Sequence, residues 1–176
     1  MNVGFTRTMF AVVALALPLS VYAADKKSDS GKASKNDRNF IMEAANDGLA
    51  EVELGKVAQQ KSSNEDVKKF GQRMIDDHTK ANQELEPIAT KMGVTPPSAP
   101  EGKHAKLVQN LSKKDKSFDK DYIDAMVKDH ETAVKLFDKQ SKKGDSEELR
   151  QLAAKTLPTL KEHLAMARDM KKSMKK

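Results

Sequence analysis

Apolar residues recur every three or four positions in four long stretches of this 176-residue chain, and this spacing constrains the fold more than any other feature. The period places apolar side chains on one face of an α-helix, whereas a half-buried strand needs strict alternation, of which the sequence has no useful length. Trp is absent and aromatic residues make up only 5% of the chain, which disfavours a β-sandwich or barrel. The pattern therefore predicts an all-α fold.

Capping residues and turns divide the pattern into four helices, which we expect to span about residues 37–60, 65–92, 115–144 and 145–172. Asn36 or Asp37 is the predicted cap of the first helix, and Gly144 is a natural left-handed cap at the end of the third. Short turns join the helices into two antiparallel pairs, and the long connection between the second and third helices can cross the bundle. Residues 107–111 of this connection indicate a further short helix. The prediction is a ferritin-like four-helix bundle over residues 37–172 with a long crossover.

The N-terminal residues have the pattern of a secretory signal peptide. Arg7 precedes an apolar run over 9–21, and the small-residue site Val21-Tyr22-Ala23 follows. We predict a signal peptide at 1–23 with cleavage after Ala23, and hence a periplasmic or secreted protein. The apolar run is about a dozen residues, shorter than the roughly 20 needed to span a bilayer, so no transmembrane segment is expected in the mature chain. Residues 24–36 contain no apolar residue except Ala and are expected to form a disordered leader.

Charge and composition exclude several classes of function. The net charge is +6, but basic residues alternate with acidic ones except near the basic tail at 173–176, which does not favour nucleic-acid binding. The absence of Cys excludes thiolate metal sites and thiol catalysis. No Ser-His-Asp order, phosphate-binding loop or pair of acids has a catalytic spacing, so the sequence favours a protein that is not an enzyme.

Each predicted helix carries one ionisable residue near the middle of its apolar face. These residues are Glu51, His78, His130 and His163. All four lie roughly fourteen to seventeen residues into their helices, so a rise of about 1.5 Å per residue can bring them into one central layer. Three imidazoles and a carboxylate are a ligand set typical of transition-metal ions. The sequence therefore predicts a candidate copper or zinc site in this layer.

Methionines near the histidines bear on the choice of metal. Met74 and Met126 each precede a layer histidine by one turn, and Met166 follows His163 by three residues. Thioether ligands favour Cu(I), although Met is also a common filler of irregular helical cores. A di-iron carboxylate site would need Glu three residues before the histidines, where this chain has Ile75, Val127 and Leu160, so the sequence argues against di-iron.

A second interpretation stays open, in which the layer is a buried polar network without metal. The imidazoles would then bond to Glu51, Tyr122 or one another and fix the helix register, in a structural or stress-related envelope protein with unknown partners. A third interpretation, an oxidoreductase using bound metal, needs open coordination positions that a sequence does not reveal.

An acid directly precedes each of the three layer histidines, and at least two of the three are expected to face solvent: Asp77, Asp129 and Glu162. His104, in the crossover, is expected on the surface.

Several short motifs resemble those of a family of secreted bacterial proteins, domain of unknown function 4142, sometimes labelled predicted outer membrane proteins. They are the run Gly-Leu-Ala-Glu-Val-Glu-Leu-Gly at 48–55, the segment from Phe70 to Asp76-Asp77-His78, Phe118-Asp119 with Tyr122, Asp129-His130, and Leu157-Pro158 leading to His163. The resemblance covers about residues 37–172. It implies a ferritin-like four-helix fold and an exported location, and it points to the four layer residues as the family's polar positions. It implies no established activity.

Overall fold

The protein is described by a computed structural model that covers Met1 and residues 32–174. That part of the chain contains five α-helices and no strand: α1 (Lys35–Lys61), α2 (Glu65–Lys91), α3 (Gly102–Ser112), α4 (Phe118–Lys143) and α5 (Glu147–Ser173). The predicted all-α class is confirmed. None of these helices is both long and apolar enough to cross a membrane. The predicted signal peptide, most of the predicted leader and the end of the basic tail lie outside the described residues.

The four long helices form a bundle of two hairpins. Helix α1 packs along α2 and α4 along α5, while α1 also touches α4 and α2 touches α5. The helices therefore follow the order α1, α2, α5, α4 around the bundle, and the connection from α2 to α4 joins opposite corners. Helix α3 lies within this connection and packs mainly on α1. Both the long crossover and its predicted short helix are confirmed.

Two apolar clusters fill the bundle, one on each side of the layer of ionisable residues. The first contains Phe40 and Leu85, and the second contains Leu54 and Phe70. Along every long helix the residues of one cluster precede the layer residue and those of the other cluster follow it. Burying each such side chain contributes about 1.5–3 kcal/mol, so the two clusters hold the layer between them.

The start of α1 differs from the prediction. Ser34, not Asn36 or Asp37, is the cap, and its hydroxyl accepts a hydrogen bond from the backbone N–H of Asp37 at 3.1 Å. The Asp37 carboxylate is buried and instead accepts from Gln140 Nε2 at 2.7 Å and from the backbone of residues 145 and 146 at 3.2 and 2.8 Å. Asp37 therefore ties the start of α1 to the turn between α4 and α5, through partners more than 100 residues away in sequence.

The end of α4 also differs from the prediction. Gly144 is extended, with φ of −63°, and is not left-handed. A Cβ atom at this position would overlap the Gln140 side chain, which Asp37 holds in place. Glycine is needed here for close packing. The left-handed glycine at a helix end is instead Gly93, with φ of 64°, just after α2.

The role of Asp37 predicts a large effect of a small substitution. Asp37→Ala removes the acceptor of three donors, of which the Gln140 amide is buried, and leaving a buried donor unpaired costs about 1–3 kcal/mol. We expect the free energy of unfolding, measured by urea titration, to fall by about 2–3 kcal/mol. The matched control is Asp169→Ala, because Asp169 makes only an exposed pair with Lys172 and its loss should cost less than about 0.5 kcal/mol. Equal losses in the two variants would contradict this role.

Candidate metal centre

The structure brings the three layer histidines together in the centre of the bundle. His78, His130 and His163 each offer a ring nitrogen, and these atoms all lie within 4.8 Å of one another. The three ring centroids are 5.2–5.7 Å apart. His130 and His163 are fully buried and His78 is 6% exposed. Because each histidine comes from the middle of a different helix, the bundle itself sets their separation.

Two of the histidines have one ring nitrogen bound to an acceptor. His130 Nδ1 lies 2.9 Å from the backbone carbonyl oxygen of Met126, and His163 Nε2 lies 2.8 Å from Oδ2 of Asp77. Burial raises the pKa of Asp77, but its hydrogen bonds with His163 and Arg73 outweigh this effect and lower it, so Asp77 is ionised. A carbonyl and a carboxylate can only accept. The protons of both rings therefore lie on the nitrogens that face these acceptors.

The other nitrogens of these two rings face each other. His130 Nε2 and His163 Nδ1 are 3.2 Å apart. Burial is the main reason that the pKa of His163 falls to about 4, and burial together with His78 also lowers the pKa of His130, so both rings are neutral at pH 7. Two lone pairs thus meet with no proton between them. Two nitrogen ligands at about 2.0 Å from a tetrahedral metal ion would be separated by about 3.3 Å, close to this distance.

Glu51 lies beside the three histidines, in contact with two of them. Its Oε2 contacts His78 Nε2, and its Oε1 is 3.3 Å from His130 Nδ1, the nitrogen that already bonds to Met126. Burial raises the pKa of Glu51, but the neighbouring imidazoles lower it further than burial raises it. Burial likewise lowers the pKa of His78, and the charge of Glu51 more than reverses the effect. Glu51 and His78 therefore form a buried ion pair.

Several buried polar atoms of the layer lack hydrogen bonds. Within the described residues, neither oxygen of Glu51, nor His78 Nε2, nor the Tyr122 hydroxyl has a partner with hydrogen-bond geometry. The bond from a histidine to Tyr122 considered from the sequence is therefore not formed. Such atoms cost free energy unless something else satisfies them, and native structures contain few of them. The Glu51 oxygens do contact the His78 and His130 rings, but without hydrogen-bond geometry, so the layer can accept a further ligand such as an ion.

The acids that precede the histidines divide into three environments. Asp77 bonds directly to His163, whereas Glu162 accepts from Arg73 at the surface. Asp129 is only partly exposed, and burial together with the charge of Glu51 raises its pKa to about 6. The sequence favoured solvent for at least two of these acids, and Asp77 is the one of the three whose side chain bonds to a histidine ring. Its spacing, one residue before His78, gave no sign that its partner would be on α5.

The three methionines occupy different positions around the layer. Met74 and Met126 are fully buried in the second apolar cluster, and Met126 contributes its carbonyl oxygen to His130. Met166 is partly exposed, and its sulfur accepts a hydrogen bond from Arg73 Nη1 at 3.3 Å. Met74 and Met126 therefore serve as core residues, whereas the thioether of Met166 contacts a cationic group near the surface.

The prediction that His104 lies on the surface is wrong. His104 is only 5% exposed, because α3 packs against α1 and presses the ring between two acids. Its Nε2 lies 3.3 Å from Glu43 Oε1 and its Nδ1 lies 3.5 Å from Asp47 Oδ1. Glu43 and Asp47 are four residues apart in the sequence and so lie on one face of α1. This spacing allows both acids to contact the same partner. Only the packing of the crossover identifies that partner as His104.

The burial of His163 predicts its titration in the metal-free protein. Its pKa of about 4 when folded lies below the unfolded value of about 6.5. The unfolded chain therefore binds more protons in this window, and the stability that neutral His163 contributes is present above pH 6.5 and is lost as the pH falls toward 4. We expect an NMR titration of the His163 ring to give a midpoint near pH 4. A midpoint near 6.5 would contradict a neutral, buried ring.

Solved structures of similar fold include one protein in two copper-bound forms. A DUF305 fragment from Deinococcus radiodurans has a TM-score of 0.69 and 14% identity, and the match covers 81% of this chain and 99% of the fragment. CopM in its Cu(I)-bound form has a TM-score of 0.66 and 16% identity, and its Cu(II)-bound form has 0.66 and 15%. Each CopM match covers 78% of this chain and 96% of CopM. At such identities the likeness concerns the fold.

The sequence also matches a family model. No curated protein matches the chain. The model for the domain of unknown function DUF4142, in contrast, matches residues 23–170, which is most of the chain and includes all four layer residues. This result confirms the family resemblance noted in the sequence. The chain therefore belongs to the DUF4142 family.

Proposed function

We propose that this protein is an exported four-helix protein that binds one transition-metal ion through His78, His130 and His163, with copper as the first candidate. The observation that carries the proposal is the 3.2 Å approach of His130 Nε2 and His163 Nδ1, two lone pairs that face each other between fully buried rings. A metal ion bound between them would use both lone pairs and so would relieve this unfavourable contact. The N-terminal sequence pattern supports export.

The surroundings of the layer support metal binding in a second way. Metal-binding histidines usually donate their other N–H to a carboxylate or a carbonyl, which fixes the orientation of the ring. Asp77 plays this part for His163 and the Met126 carbonyl for His130. Neutral imidazole ligands suit copper and zinc. Glu51 supplies the negative charge that a cation in an apolar bundle requires, and its contact with His78 places it within reach of the ion as a further ligand.

The metal-free polar network is the competing interpretation, and the proton positions argue against it. A hydrogen bond between His130 and His163 would need an additional proton on one of the rings. Burial lowers the pKa of both, so this proton is absent at pH 7. In this network, the contacts of the Glu51 oxygens with His78 and His130 also lack hydrogen-bond geometry. A bound ion accounts for both features at once.

Copper is preferred over zinc because of the relatives of similar fold. CopM, which has a similar fold, has been solved in a Cu(I)-bound and a Cu(II)-bound form, and this supports copper as the first ion to test. The partly exposed thioether of Met166, one turn after His163 on α5, is a soft group of the kind that favours Cu(I). A role in binding or buffering copper in the cell envelope follows from such a site, with no catalytic step.

Metal titration tests the proposal. We expect the purified protein, without a His tag, to bind about one Cu(I) per chain in competition with a chromophoric chelator. His130→Ala should weaken binding by at least about 100-fold, since a ligand contributes no less than its supporting hydrogen-bond partners do. His104→Gln is the matched control, because His104 is equally buried but lies between Glu43 and Asp47, and it should bind like wild type. Absence of binding to wild type, or equal binding by His130→Ala, would refute the site.

A further inference from the structure

The Glu51 carboxylate lies at the histidine layer with both of its oxygens free of hydrogen bonds. Its side chain is 1% exposed, with Oε2 against His78 Nε2 and Oε1 3.3 Å from His130 Nδ1. Neither contact has hydrogen-bond geometry, and no donor in the described part of the chain bonds to either oxygen. A carboxylate offers about four lone-pair sites. Glu51 can therefore accept a cation without giving up a hydrogen bond.

Close packing of α1 against α2 fixes the position of this carboxylate. Gly55 lies one turn after Glu51, and a Cβ atom on Gly55 would overlap the carbonyl oxygen of Gly71 on α2. A Cβ atom on Gly71 would in turn come within 2.9 Å of the Ala58 side chain. The two helices are therefore in backbone contact one turn from Glu51. This contact holds the Glu51 carboxylate against His78, so the carboxylate is already in place before an ion binds.

Other acids near the layer do not offer their charge to an ion in the same way. Asp77 accepts a hydrogen bond from the ring N–H of His163, and its carboxylate also pairs with Arg73. Asp129 lines a separate cavity between α1, α3 and α4, together with His104. An ion held by three neutral imidazoles would therefore meet one buried negative charge, that of Glu51.

The charge of the ion determines how much it gains from that carboxylate. The Coulomb energy of two charges scales with their product, so a divalent ion gains twice as much as a monovalent ion at the same distance. Cu(I) with Glu51 leaves the layer without net charge. Without Glu51, a divalent ion would leave two positive charges uncompensated in an apolar bundle, which is costly. Carboxylate oxygen is also a harder ligand than imidazole or thioether, and harder ligands suit the more highly charged ion.

We propose that Glu51 is the specificity-determining residue of the site: it is a ligand for divalent ions and lets the layer keep copper as Cu(II), whereas the three histidines suffice for Cu(I). This inference rests on the proposed function and names the residue that decides which ion charges the site accepts. The proton that His78 holds beside Glu51 must leave when either ion binds, so it affects both affinities alike. The ratio of the Cu(II) and Cu(I) affinities therefore isolates the contribution of Glu51.

The first test measures this ratio in Glu51→Gln, which keeps the shape of the side chain and removes its charge. The purified metal-free protein is titrated with Cu(I) without oxygen and with Cu(II) in air, each against a chromophoric chelator. We expect the affinity to fall roughly tenfold for Cu(I) and roughly 100-fold for Cu(II), because the Coulomb loss doubles with the charge of the ion. The potential of the bound copper then rises by about 59 mV, which corresponds to a tenfold change for one electron. Equal losses for the two ions would overturn the proposal.

Asp76→Asn is the matched control for the loss of one negative charge. Asp76 lies two residues before His78, but its side chain is exposed and accepts from Gln72 Nε2 at 2.9 Å. Solvent screens a charge at such a position. We expect both copper affinities of Asp76→Asn to lie within about twofold of the wild-type values. A change of the ratio as large as that in Glu51→Gln would show that any nearby acid has the same effect, against the proposal.

The second test uses Zn²⁺, which has the charge of Cu(II) and no redox chemistry. If ion charge is what Glu51 recognises, the Zn²⁺ affinity of Glu51→Gln should fall by about the same factor as its Cu(II) affinity. A Zn²⁺ affinity that falls only as far as that for Cu(I) would contradict the proposal. Glu51→Asp extends the test, because it keeps the charge but is one methylene shorter. Its affinity ratio should lie between those of wild type and Glu51→Gln, and a wild-type ratio would refute direct ligation by Glu51.

The two proposals fail in distinguishable ways. If wild type binds no copper, both are wrong. If wild type binds one Cu(I) that His130→Ala loses, while Glu51→Gln leaves the ratio of the Cu(II) and Cu(I) affinities unchanged, the histidine site stands and the role of Glu51 is refuted. The same holds if wild type binds Cu(I) but no Cu(II). Retained Cu(I) binding by Glu51→Gln, with a melting temperature within a few degrees of wild type, shows that this variant is folded.

Discussion

The burial of four ionisable side chains in one layer across the bundle is the constraint on which the rest of the structure depends. Glu51 and the three histidines lie between two apolar clusters, where an unpaired charge would cost several kcal/mol. A shift of one residue in any helix would rotate its layer residue by about 100° away from the others. The helix lengths, the two hairpin turns and the contacts of Asp37 therefore all act to keep the four helices in one register.

The partners of the histidines determine what this layer can do chemically. Asp77 and the Met126 carbonyl each accept a hydrogen bond from the single N–H of a neutral ring. The lone pairs on the other nitrogens of these two rings face each other. Glu51 acts differently, because it stabilises the charged form of His78. The layer thus combines two neutral ligands with a carboxylate-imidazole pair of no net charge. This combination suits a cation that binds by replacing a proton, because Glu51 supplies the negative charge that the cation needs.

Asp77 connects the histidine layer to the protein surface. The carboxylate that orients His163 also holds Arg73, and Arg73 in turn holds the sulfur of Met166. One acid therefore links the interior of the bundle to an exposed cationic group. A change at Arg73 would act on the histidine layer through this acid, although the guanidinium itself lies at the surface.

The sequence by itself determined the all-α class, the two hairpins with their crossover, and the four layer residues, because helical period and depth along a helix are local properties. The signal peptide and the exported location remain predictions from the N-terminal pattern. Tertiary structure alone decided the roles of Asp37, Asp77 and Met166 and the burial of His104, since their partners lie more than 50 residues away in sequence. It also decided which ring nitrogens carry protons, because that depends on acceptors from neighbouring helices and on burial, and neither is encoded in the spacing of residues along one helix.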